Sequence, residues 1–273
     1  MSDWQGKVCV VTGAGSGIGG GLARHAAALG MHVIGADVDE AGLAELGREP
    51  GERGRSIETR TVDVRDEQAV EALAAHVFAR HGRVHLLFNN AGVLVDGKSW
   101  ERSLRDWRWS FDVNVFGVIN GIRSFVPRML AQGEAGRVVN TSSQGGLLGG
   151  GAFMGPYQAT KHAVAALTET LAAELALETA PISASCLCPG EIATRIFHSE
   201  RLRPEPERNR LGSESERQFH DTVAGMLQGG LSPGDFATGV FAAIDARRFW
   251  IVPDSAFFRK TIEARTRDIL DGA

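Results

Sequence analysis

The sequence predicts a single α/β domain built on a parallel β-sheet. Strand-like apolar runs alternate with helix-like stretches along the 273 residues, and no linker-like segment divides them. The first apolar run, residues 7–11, enters a glycine-rich turn that precedes an alanine-rich helical pattern. Short apolar runs of this kind are typical of buried parallel strands. The length suits one large domain.

The composition is that of an ordinary soluble protein. A formal net charge of -4 and a pI near 6.1 give no electrostatic reason to bind nucleic acid or anionic membranes. The sequence shows neither a signal peptide nor a run of about 18 apolar residues, which predicts a cytoplasmic protein. Cys9, Cys186 and Cys188 are predicted to be buried thiols. His81 and His85 do not share a helical face, so no metal site is predicted.

The segment TGAGSGIG, residues 12–19, joins the first strand to the first helix and predicts a phosphate-binding site. A helix N-terminus presents unpaired N–H groups and a positive dipole end, and glycines let a pyrophosphate approach the backbone. The spacing T-G-x-x-x-G-x-G starts where the strand ends, whereas the match to G-x-G-x-x-G starts later. A flexible turn without a ligand is the alternative. The predicted cofactor contacts are Gly13, Ser16, Gly17, Ile18 and Gly19.

Asp37 ends the second strand, HVIGAD, at roughly the 20-residue interval where an acidic residue meets the adenosine ribose. Its carboxylate can accept hydrogen bonds from both ribose hydroxyls and would repel a 2'-phosphate. Neither Ser16 nor Val38 supplies the cation that such a phosphate needs, so the sequence predicts NAD over NADP. Asp37 and Val38 are predicted cofactor contacts. The alternative is that Asp37 caps the helix that follows.

Further cofactor contacts are predicted at the ends of later strands. The strand in SIETRTVDV ends where an adenine edge could be held, and SASCLCPGEIAT breaks at a Pro-Gly pair before a threonine suited to bond a carboxamide. The asparagines of NNAG can tie strand ends together and touch a ribose, although such a sequence is also an ordinary turn. The predicted contacts are Asp63, Val64, Asn90, Ala91, Gly92, Pro189, Gly190, Ile192 and Thr194.

Two long helix patterns carry apolar residues on more than one face. One runs from Leu104 to Leu130 and the other from Tyr157 to Leu177. A helix that is apolar nearly all round must be buried on both sides, so one side is expected to cover the sheet and the other a partner subunit. The sequence therefore predicts a homo-oligomer whose main contact these helices form. Asn114 lies among apolar neighbours, where its amide needs a water or a backbone partner.

Tyr157 and Lys161 are one helical turn apart in the segment GPYQATKHAV, which places a phenol and an ammonium on one helix face. The pKa of a free tyrosine is about 10, and a neighbouring cation lowers it. Tyr157 is the only tyrosine in the sequence, so any phenol chemistry must occur here. An isolated Tyr-x-x-x-Lys is more often a surface pair without function. The neighbouring motifs favour a catalytic pair.

Residues 195–231 form a predicted lid over the substrate. Dense charge, Pro204, Pro206 and weak periodicity interrupt the alternating pattern there. A long insertion of this kind in a compact domain is usually a lid or disordered. The next helix is predicted to begin with Ser232 as its N-cap and Pro233 at its first position.

These motifs, taken in order over residues 7–194, resemble the short-chain dehydrogenase/reductase family. The resemblance lies in TGAGSGIG, NNAG, Asn114, the Ser142-Ser143 tip of the fifth strand, Tyr157-x-x-x-Lys161 and PGEIAT. It implies a Rossmann-type, doubly wound parallel sheet of seven strands and a homotetramer. It also implies a catalytic set of Asn114, Ser143, Tyr157 and Lys161, with Ser142 as the alternative serine.

The resemblance also implies a role for each catalytic residue. Ser143 orients the substrate oxygen, and Tyr157 removes its proton in alcohol oxidation. Lys161 lowers the pKa of the phenol, helped by the positive nicotinamide, and binds the ribose. Tyr157 and Lys161 are both predicted cofactor contacts as well. Asn114 holds a water that relays the proton outward. A hydride passes between the substrate carbon and the nicotinamide.

The predicted substrate is an apolar secondary alcohol or ketone, bulky or aromatic. GVINGIRSFVPRML and the segment Leu202-Arg203-Pro204 are similar to a branch that contains aryl-carbinol dehydrogenases of lignin-derived compounds. The predicted pocket residues are Leu94, Val95, Leu147, Leu148, Phe153, Met154, Ile196 and Phe197.

Three other functions are considered. An NADPH-dependent 3-oxoacyl-carrier-protein reductase is disfavoured by Asp37, although Arg123 and Arg128 could meet an acidic partner. A sugar-nucleotide epimerase needs a different glycine spacing and a larger C-terminal domain. A non-catalytic NAD-sensing regulator has no need of an intact catalytic set.

Overall fold

Seven short strands pair in one parallel sheet within residues 4–48, 57–204 and 212–272, the part of the chain that the computed structural model describes. The strands are β1 (Val8–Thr12), β2 (His32–Asp37), β3 (Glu58–Thr61), β4 (Leu86–Asn89), β5 (Gly136–Thr141), β6 (Ile182–Leu187) and β7 (Trp250–Ile251). The helices are α1 (Gly17–Ala28), α2 (Glu40–Arg48), α3 (Glu67–His81), α4 (Leu104–Phe111), α5 (Gly117–Ala131), α6 (Gly155–Leu175), α7 (Glu214–Gln228), α8 (Pro233–Asp245) and α9 (Ala256–Asp271). The predicted doubly wound α/β architecture is confirmed.

The strand order is β3-β2-β1-β4-β5-β6-β7, and each neighbouring pair of these strands is parallel. All five residues of β1 are buried because helices cover both faces of the sheet, which explains its continuous apolar run. Of the two largest core clusters, one contains residues of α3, α5 and α6, and the other contains residues of α1 and α8. The order reverses between β1 and β4, and parallel sheets bind ligands outside the carboxyl ends of such a pair.

The helix predicted from Leu104 to Leu130 is interrupted by a π-helical turn. Ser103 begins α4 through a reciprocal bond with Asp106, and residues Asp112–Phe116 then form the π turn before α5 starts. The prediction of one regular helix was therefore wrong at its centre. Asn114, within this turn, is 1% exposed, whereas Phe116 is 51% exposed. π turns inside α-helices occur often at functional sites.

Much of the predicted lid has regular structure. Residues Ile196–Leu202 form a short 3₁₀ segment, and α7 follows from a capping box between Ser213 and Glu216. Residues 205–211, which include Pro206, lie outside the described residues. Ser232 caps α8 as predicted, with its hydroxyl accepting the N–H of Asp235 at 3.1 Å. Within the described part of the chain, no helix combines the length and apolar character needed to cross a membrane.

Buried polar contacts fasten the lid to the chain after β4. The hydroxyl of Ser199 accepts the N–H of Leu94 at 3.1 Å. Nη1 of Arg203 donates to Oδ1 of Asp106 at 2.6 Å, and both side chains are almost fully buried. The buried carboxylate of Glu216 accepts the N–H of Lys98 and lies 3.4 Å from the guanidinium of Arg102. These contacts place the lid against the carboxyl edge of the sheet.

Candidate active site

A cavity of about 300 Å³ runs along the carboxyl ends of the strands, where the strand order reverses. All of the residues predicted to contact the cofactor line its wall, and Ser143 lines it as well. Asn114 lies behind this wall, fully buried. Among the residues that the structure describes, no group of three or more His, Cys, Asp or Glu side chains is arranged to hold a metal ion.

The glycine turn forms one part of the wall, and steric contacts explain its glycines. Gly13 has φ +70°, and a Cβ there would lie 2.7 Å from the Cα of Ala91. A Cβ on Gly19 would lie 2.0 Å from the carbonyl oxygen of Gly13. The turn therefore brings the strand ends and the start of α1 close together, and the N–H groups at the N-terminus of α1 border the cavity.

Asp37 accepts backbone hydrogen bonds at this turn and faces the cavity. Its Oδ2 accepts the N–H of Gly15 at 2.8 Å, and its Oδ1 accepts the N–H of Asp39 at 3.0 Å. The helix cap considered for Asp37 is formed by the next carboxylate, since Oδ1 of Asp39 accepts the N–H of Gly42 at the start of α2. Asp37 is therefore left at the cavity wall, as the cofactor prediction requires.

The other predicted strand ends also meet at the cavity. Nδ2 of Asn89 donates to Oδ1 of Asn140 at 2.9 Å, and Nδ2 of Asn90 donates to the carbonyl of Thr12 at 3.0 Å. The two asparagines thus tie β4 to β5 and β1, as predicted. Asp63 lines the cavity with its carboxylate held by the guanidinium of its neighbour Arg65 at 2.6 Å.

Tyr157, Lys161 and Ser143 come together where α6 begins. Tyr157 lies in the first turn of α6, and Nζ of Lys161 is 5.6 Å from the centroid of its ring. Lys161 is 3% exposed, and its ammonium donates to the carbonyl of Thr141 at 2.9 Å. The hydroxyl of Ser143 faces the phenol and accepts the N–H of Gly145 at 3.0 Å. The geometry places a hydroxyl, a phenol and a buried cation in one wall.

The two serines at the tip of β5 have different contacts. The hydroxyl of Ser142 is buried and donates to the carbonyl of Lys161 at 2.7 Å, so it fastens α6 to the end of the strand. The hydroxyl of Ser143 faces Tyr157. The arrangement favours Ser143 as the residue that meets a substrate.

The predicted lowering of the phenol pKa by Lys161 is wrong for the polypeptide by itself. Burial raises the pKa of Tyr157 above its usual value, and the nearby Ser143 hydroxyl offsets this only in part. Burial also lowers the pKa of the Lys161 ammonium to about 8. Desolvation outweighs attraction here because a low-dielectric site disfavours a charged phenolate and a charged ammonium alike.

Asn114 holds the loop after β4 in place. Its Oδ1 accepts the N–H of Val93 at 2.8 Å, and its Nδ2 donates to the carbonyl of Val93 and to the hydroxyl of Thr160, each at 2.9 Å. The predicted need for a backbone partner is therefore confirmed. A Cβ on Gly92 would lie 3.4 Å from both Oδ1 of Asn114 and Nζ of Lys161, so both side chains lie next to that glycine.

The apolar wall of the cavity differs most from the predicted substrate pocket. Of the eight apolar residues predicted for it, Ile196 alone appears in the cavity wall among the described residues. Leu94 and Val95 are buried, and Phe153 and Phe197 pack on Phe219. Leu147, Leu148 and Met154 also lie outside the wall. The apolar side chains that line it and were not predicted are Val62, Val93, Trp109, Val113, Leu202 and Leu227.

Two arginines of the lid also lie in the wall and were not predicted. Arg195 and Arg201 line the cavity, and Nη2 of Arg201 donates to the hydroxyl of Ser16 at 3.4 Å. The contact joins residues 185 positions apart. No local pattern in the sequence could signal it.

Comparisons with known proteins identify the family. The family model described as short chain dehydrogenase matches residues 7–205. This chain belongs to the short-chain dehydrogenase family. The resemblance drawn from the sequence motifs is therefore confirmed.

Three relatives align with nearly the whole of this chain. A short-chain dehydrogenase/reductase from Burkholderia phymatum, solved in complex with NAD, is 43% identical, with a TM-score of 0.93 over 98% of this chain and 96% of that one. LigO from Sphingobium sp. strain SYK-6, solved in its apo form, is 30% identical, with a TM-score of 0.81 over 100% and 90% of the two chains. C alpha-dehydrogenase from Sphingobium is 32% identical over 99% of this chain and 88% of its own length.

Proposed function

We propose that this protein is an NAD-dependent dehydrogenase that interconverts an apolar secondary alcohol and the corresponding ketone. The observation that carries the proposal is that Tyr157, Ser143 and Lys161 line the same cavity as the glycine turn and Asp37. A hydroxyl, a phenol and a buried cation are the groups that proton transfer to or from a substrate oxygen requires. The similarity to a relative solved with NAD supports the choice of cofactor.

The residues in the wall fit a dinucleotide. The glycine turn leaves a cradle that a Cβ on Gly13 or Gly19 would fill, and the N–H groups at the start of α1 would hold a pyrophosphate. The carboxylate of Asp37 would accept the ribose hydroxyls and repel a 2'-phosphate, which favours NAD over NADP. When bound, NAD accepts a hydride from the substrate carbon during oxidation.

The proton steps are assigned to side chains of this chain. Ser143 donates a hydrogen bond to the substrate oxygen and holds it beside the hydroxyl of Tyr157. As the phenolate, Tyr157 takes the proton of the alcohol in oxidation, and as the phenol it returns that proton in ketone reduction. Lys161 supplies positive charge behind the phenol. Because the pKa of Tyr157 is raised in the protein alone, its phenol is protonated at neutral pH, the form required for ketone reduction.

Turnover with NAD tests this assignment directly. NADH formation is followed with a panel of secondary alcohols, for the wild type, Tyr157→Phe and Ser143→Ala. Each substitution is expected to lower kcat by at least about 10²-fold, because general acid-base contributions have that size. NAD binding, measured by quenching of tryptophan fluorescence, is expected to stay unchanged in Tyr157→Phe. Retained turnover in that variant would exclude the phenol as the proton-transfer group.

The substrate class follows from the apolar part of the wall. Val93, Trp109, Val113, Leu202 and Leu227 line it, and a relative named C alpha-dehydrogenase covers nearly the whole chain. We therefore propose a bulky or aromatic secondary alcohol. Each buried methylene contributes about 0.8 kcal/mol, which is about fourfold in kcat/KM. A series of alcohols of increasing apolar size should show this rise, and a flat or falling series would exclude the class.

Contacts of two arginines weaken the carrier-protein alternative. Arg123 lies 2.8 Å from the carboxylate of Glu67, and Arg128 lies 2.5 Å from that of Glu71. Their charges are thus already balanced by neighbouring acids on α3. Comparing the turnover rates with NAD and with NADP distinguishes this NADPH-dependent alternative from the proposed NAD-dependent dehydrogenase. Any measurable turnover would exclude a non-catalytic NAD-sensing regulator.

We also propose a homo-oligomer, a tetramer or a dimer, in the cytoplasm. Leu104 and Phe116, on the outer side of the helix predicted to form a subunit contact, are 71% and 51% exposed. A helical segment with apolar residues on more than one face needs a second surface to cover it. Cys9, Cys186 and Cys188 are buried free thiols, which suits a reducing compartment. Light scattering of the wild type and of Phe116→Glu measures the assembly, and a wild-type monomer would exclude it.

A further inference from the structure

Part of the lid brings two arginines to the cavity wall beside the glycine turn. Arg195 and Arg201 both line the cavity. Nη2 of Arg201 donates to the hydroxyl of Ser16 at 3.4 Å. Ser16 is the N-cap residue of α1, and its hydroxyl makes no capping bond to that helix. The guanidinium therefore lies beside the N-terminus of α1.

The backbone of the lid fixes the direction of this guanidinium. Nη1 of Arg201 donates to the carbonyls of Arg195 at 3.3 Å and His198 at 3.1 Å. Because a guanidinium is planar and rigid, these two bonds also set the direction of Nη2. Nη2 therefore points from the lid to the glycine turn.

The charges around Arg201 suit an anion at the same place. The carboxylates of Asp37 and Asp39 lie close enough to act on its charge. Both oxygens of Asp37 accept backbone N–H groups, and Asp39 lies 4.0 Å from the guanidinium of Arg195. The first turn of α1 has the sequence GIGG and contains no acidic residue. The positive end of the helix dipole and the guanidinium therefore attract an anion together.

We propose that Arg201 is a cofactor-binding residue carried by the lid, and that its guanidinium contacts the pyrophosphate of a dinucleotide at the N-terminus of α1. This inference rests on the proposed function, because it requires the cavity to bind a dinucleotide. Arg201 precedes Leu202, which lines the cavity, and lies two residues after Ser199, which is bonded to the backbone of Leu94. A contact between Arg201 and the cofactor would therefore also fix the position of the neighbouring Leu202 in the cavity wall.

Dissociation constants for NAD and NADP, measured by quenching of tryptophan fluorescence at two salt concentrations, test this assignment. Four proteins are compared: the wild type, Arg201→Met, Arg201→Lys and the control Arg217→Met. The control removes one positive charge from α7 of the same lid, outside the cavity wall. Arg201→Met is expected to weaken NAD and NADP by the same factor, about tenfold or more, since a charge-assisted hydrogen bond to a phosphate is lost. Its NAD affinity should also depend less on salt.

The conservative variant separates a cofactor contact from a structural role. Arg201→Lys keeps the charge and should retain most of the NAD affinity, while Arg217→Met should match the wild type. Unchanged NAD binding in Arg201→Met would overturn the proposal, and a loss confined to NADP would assign Arg201 to the 2'-phosphate instead. Equal losses in both Arg201 variants, with a lower free energy of unfolding, would show a purely structural tie. A wild type that binds neither dinucleotide would refute the proposed function itself.

Discussion

Replacing Lys161 with methionine should make the folded protein more stable at neutral pH. Lys161 is 3% exposed, and burial lowers the pKa of its ammonium from 10.5 to about 8. A shift of this size corresponds to about 3 kcal/mol of unfavourable free energy in the folded state whenever lysine is charged. Methionine has a similar shape and no charge. It also loses the bond to the carbonyl of Thr141, a cost of about 1 kcal/mol. The net gain at pH 7 is therefore about 2 kcal/mol.

The pH dependence of this gain identifies its cause. An unfolded chain keeps the proton on Lys161 up to its ordinary pKa of 10.5, whereas the folded chain releases it near 8. Between these values the unfolded wild type binds more protons, so wild-type stability rises with pH relative to the variant. The difference in the free energy of unfolding between Lys161→Met and the wild type should be largest below pH 8. It should shrink by about 3 kcal/mol as the pH rises toward 10.5.

Urea unfolding at about pH 7 and about pH 9.5 measures both effects. Lys260→Met, on the exposed side of α9, is the control for losing one positive charge and should change stability little. Lys161→Met should lose most of its turnover while gaining stability, as expected where a buried charge is kept for chemistry. A variant less stable than the wild type at pH 7, or a difference that does not change with pH, would refute the argument from desolvation.

Three further substitutions test how tightly the chain is packed. Gly19→Ala should weaken NAD binding by at least about tenfold and destabilise the fold by about 1–3 kcal/mol, because its Cβ would lie 2.0 Å from the carbonyl of Gly13. Gly239→Ala in α8, where a Cβ meets nothing within 4 Å, should instead stabilise by up to about 1 kcal/mol in urea unfolding. Asp106→Asn should cost about 3 kcal/mol in the same assay, since it leaves the buried guanidinium of Arg203 without its closest carboxylate. Equal stability of the asparagine variant and the wild type would contradict that reason.

The fold and the cofactor side of the cavity could be predicted because both depend on local patterns. A glycine turn between a buried strand and a helix fixes where α1 begins, and the residues at the other strand ends meet it in any parallel sheet of this order. Asp37 could be placed for the same reason. Its competing role as a helix cap could not be excluded, because only the structure shows Asp39 accepting the N–H of Gly42.

The substrate side could not be predicted to the same extent. Hydrophobicity suggested Leu94 and Val95 as pocket residues, yet it does not distinguish a side chain that lines a cavity from one packed beneath it. Trp109 lines the cavity because α4 packs against the lid, with the guanidinium of Arg203 4.6 Å from its ring. The pKa of Tyr157 also depends on the burial of its phenol. The helical spacing between Tyr157 and Lys161 does not reveal that burial.

The lid contacts connect these two sides of the site. Ser199 is bonded to the backbone of Leu94, and Arg203 is paired with the buried Asp106, so both anchors hold the 3₁₀ segment to the chain after β4. Arg201 and Leu202 lie between the anchors, one at the glycine turn and the other at the apolar wall. Because the two residues are adjacent in a short segment that is anchored at both ends, a change in the position of one is expected to move the other. Substrate selection and cofactor affinity should therefore change together when an anchor is removed, and separately when only Leu202 is replaced.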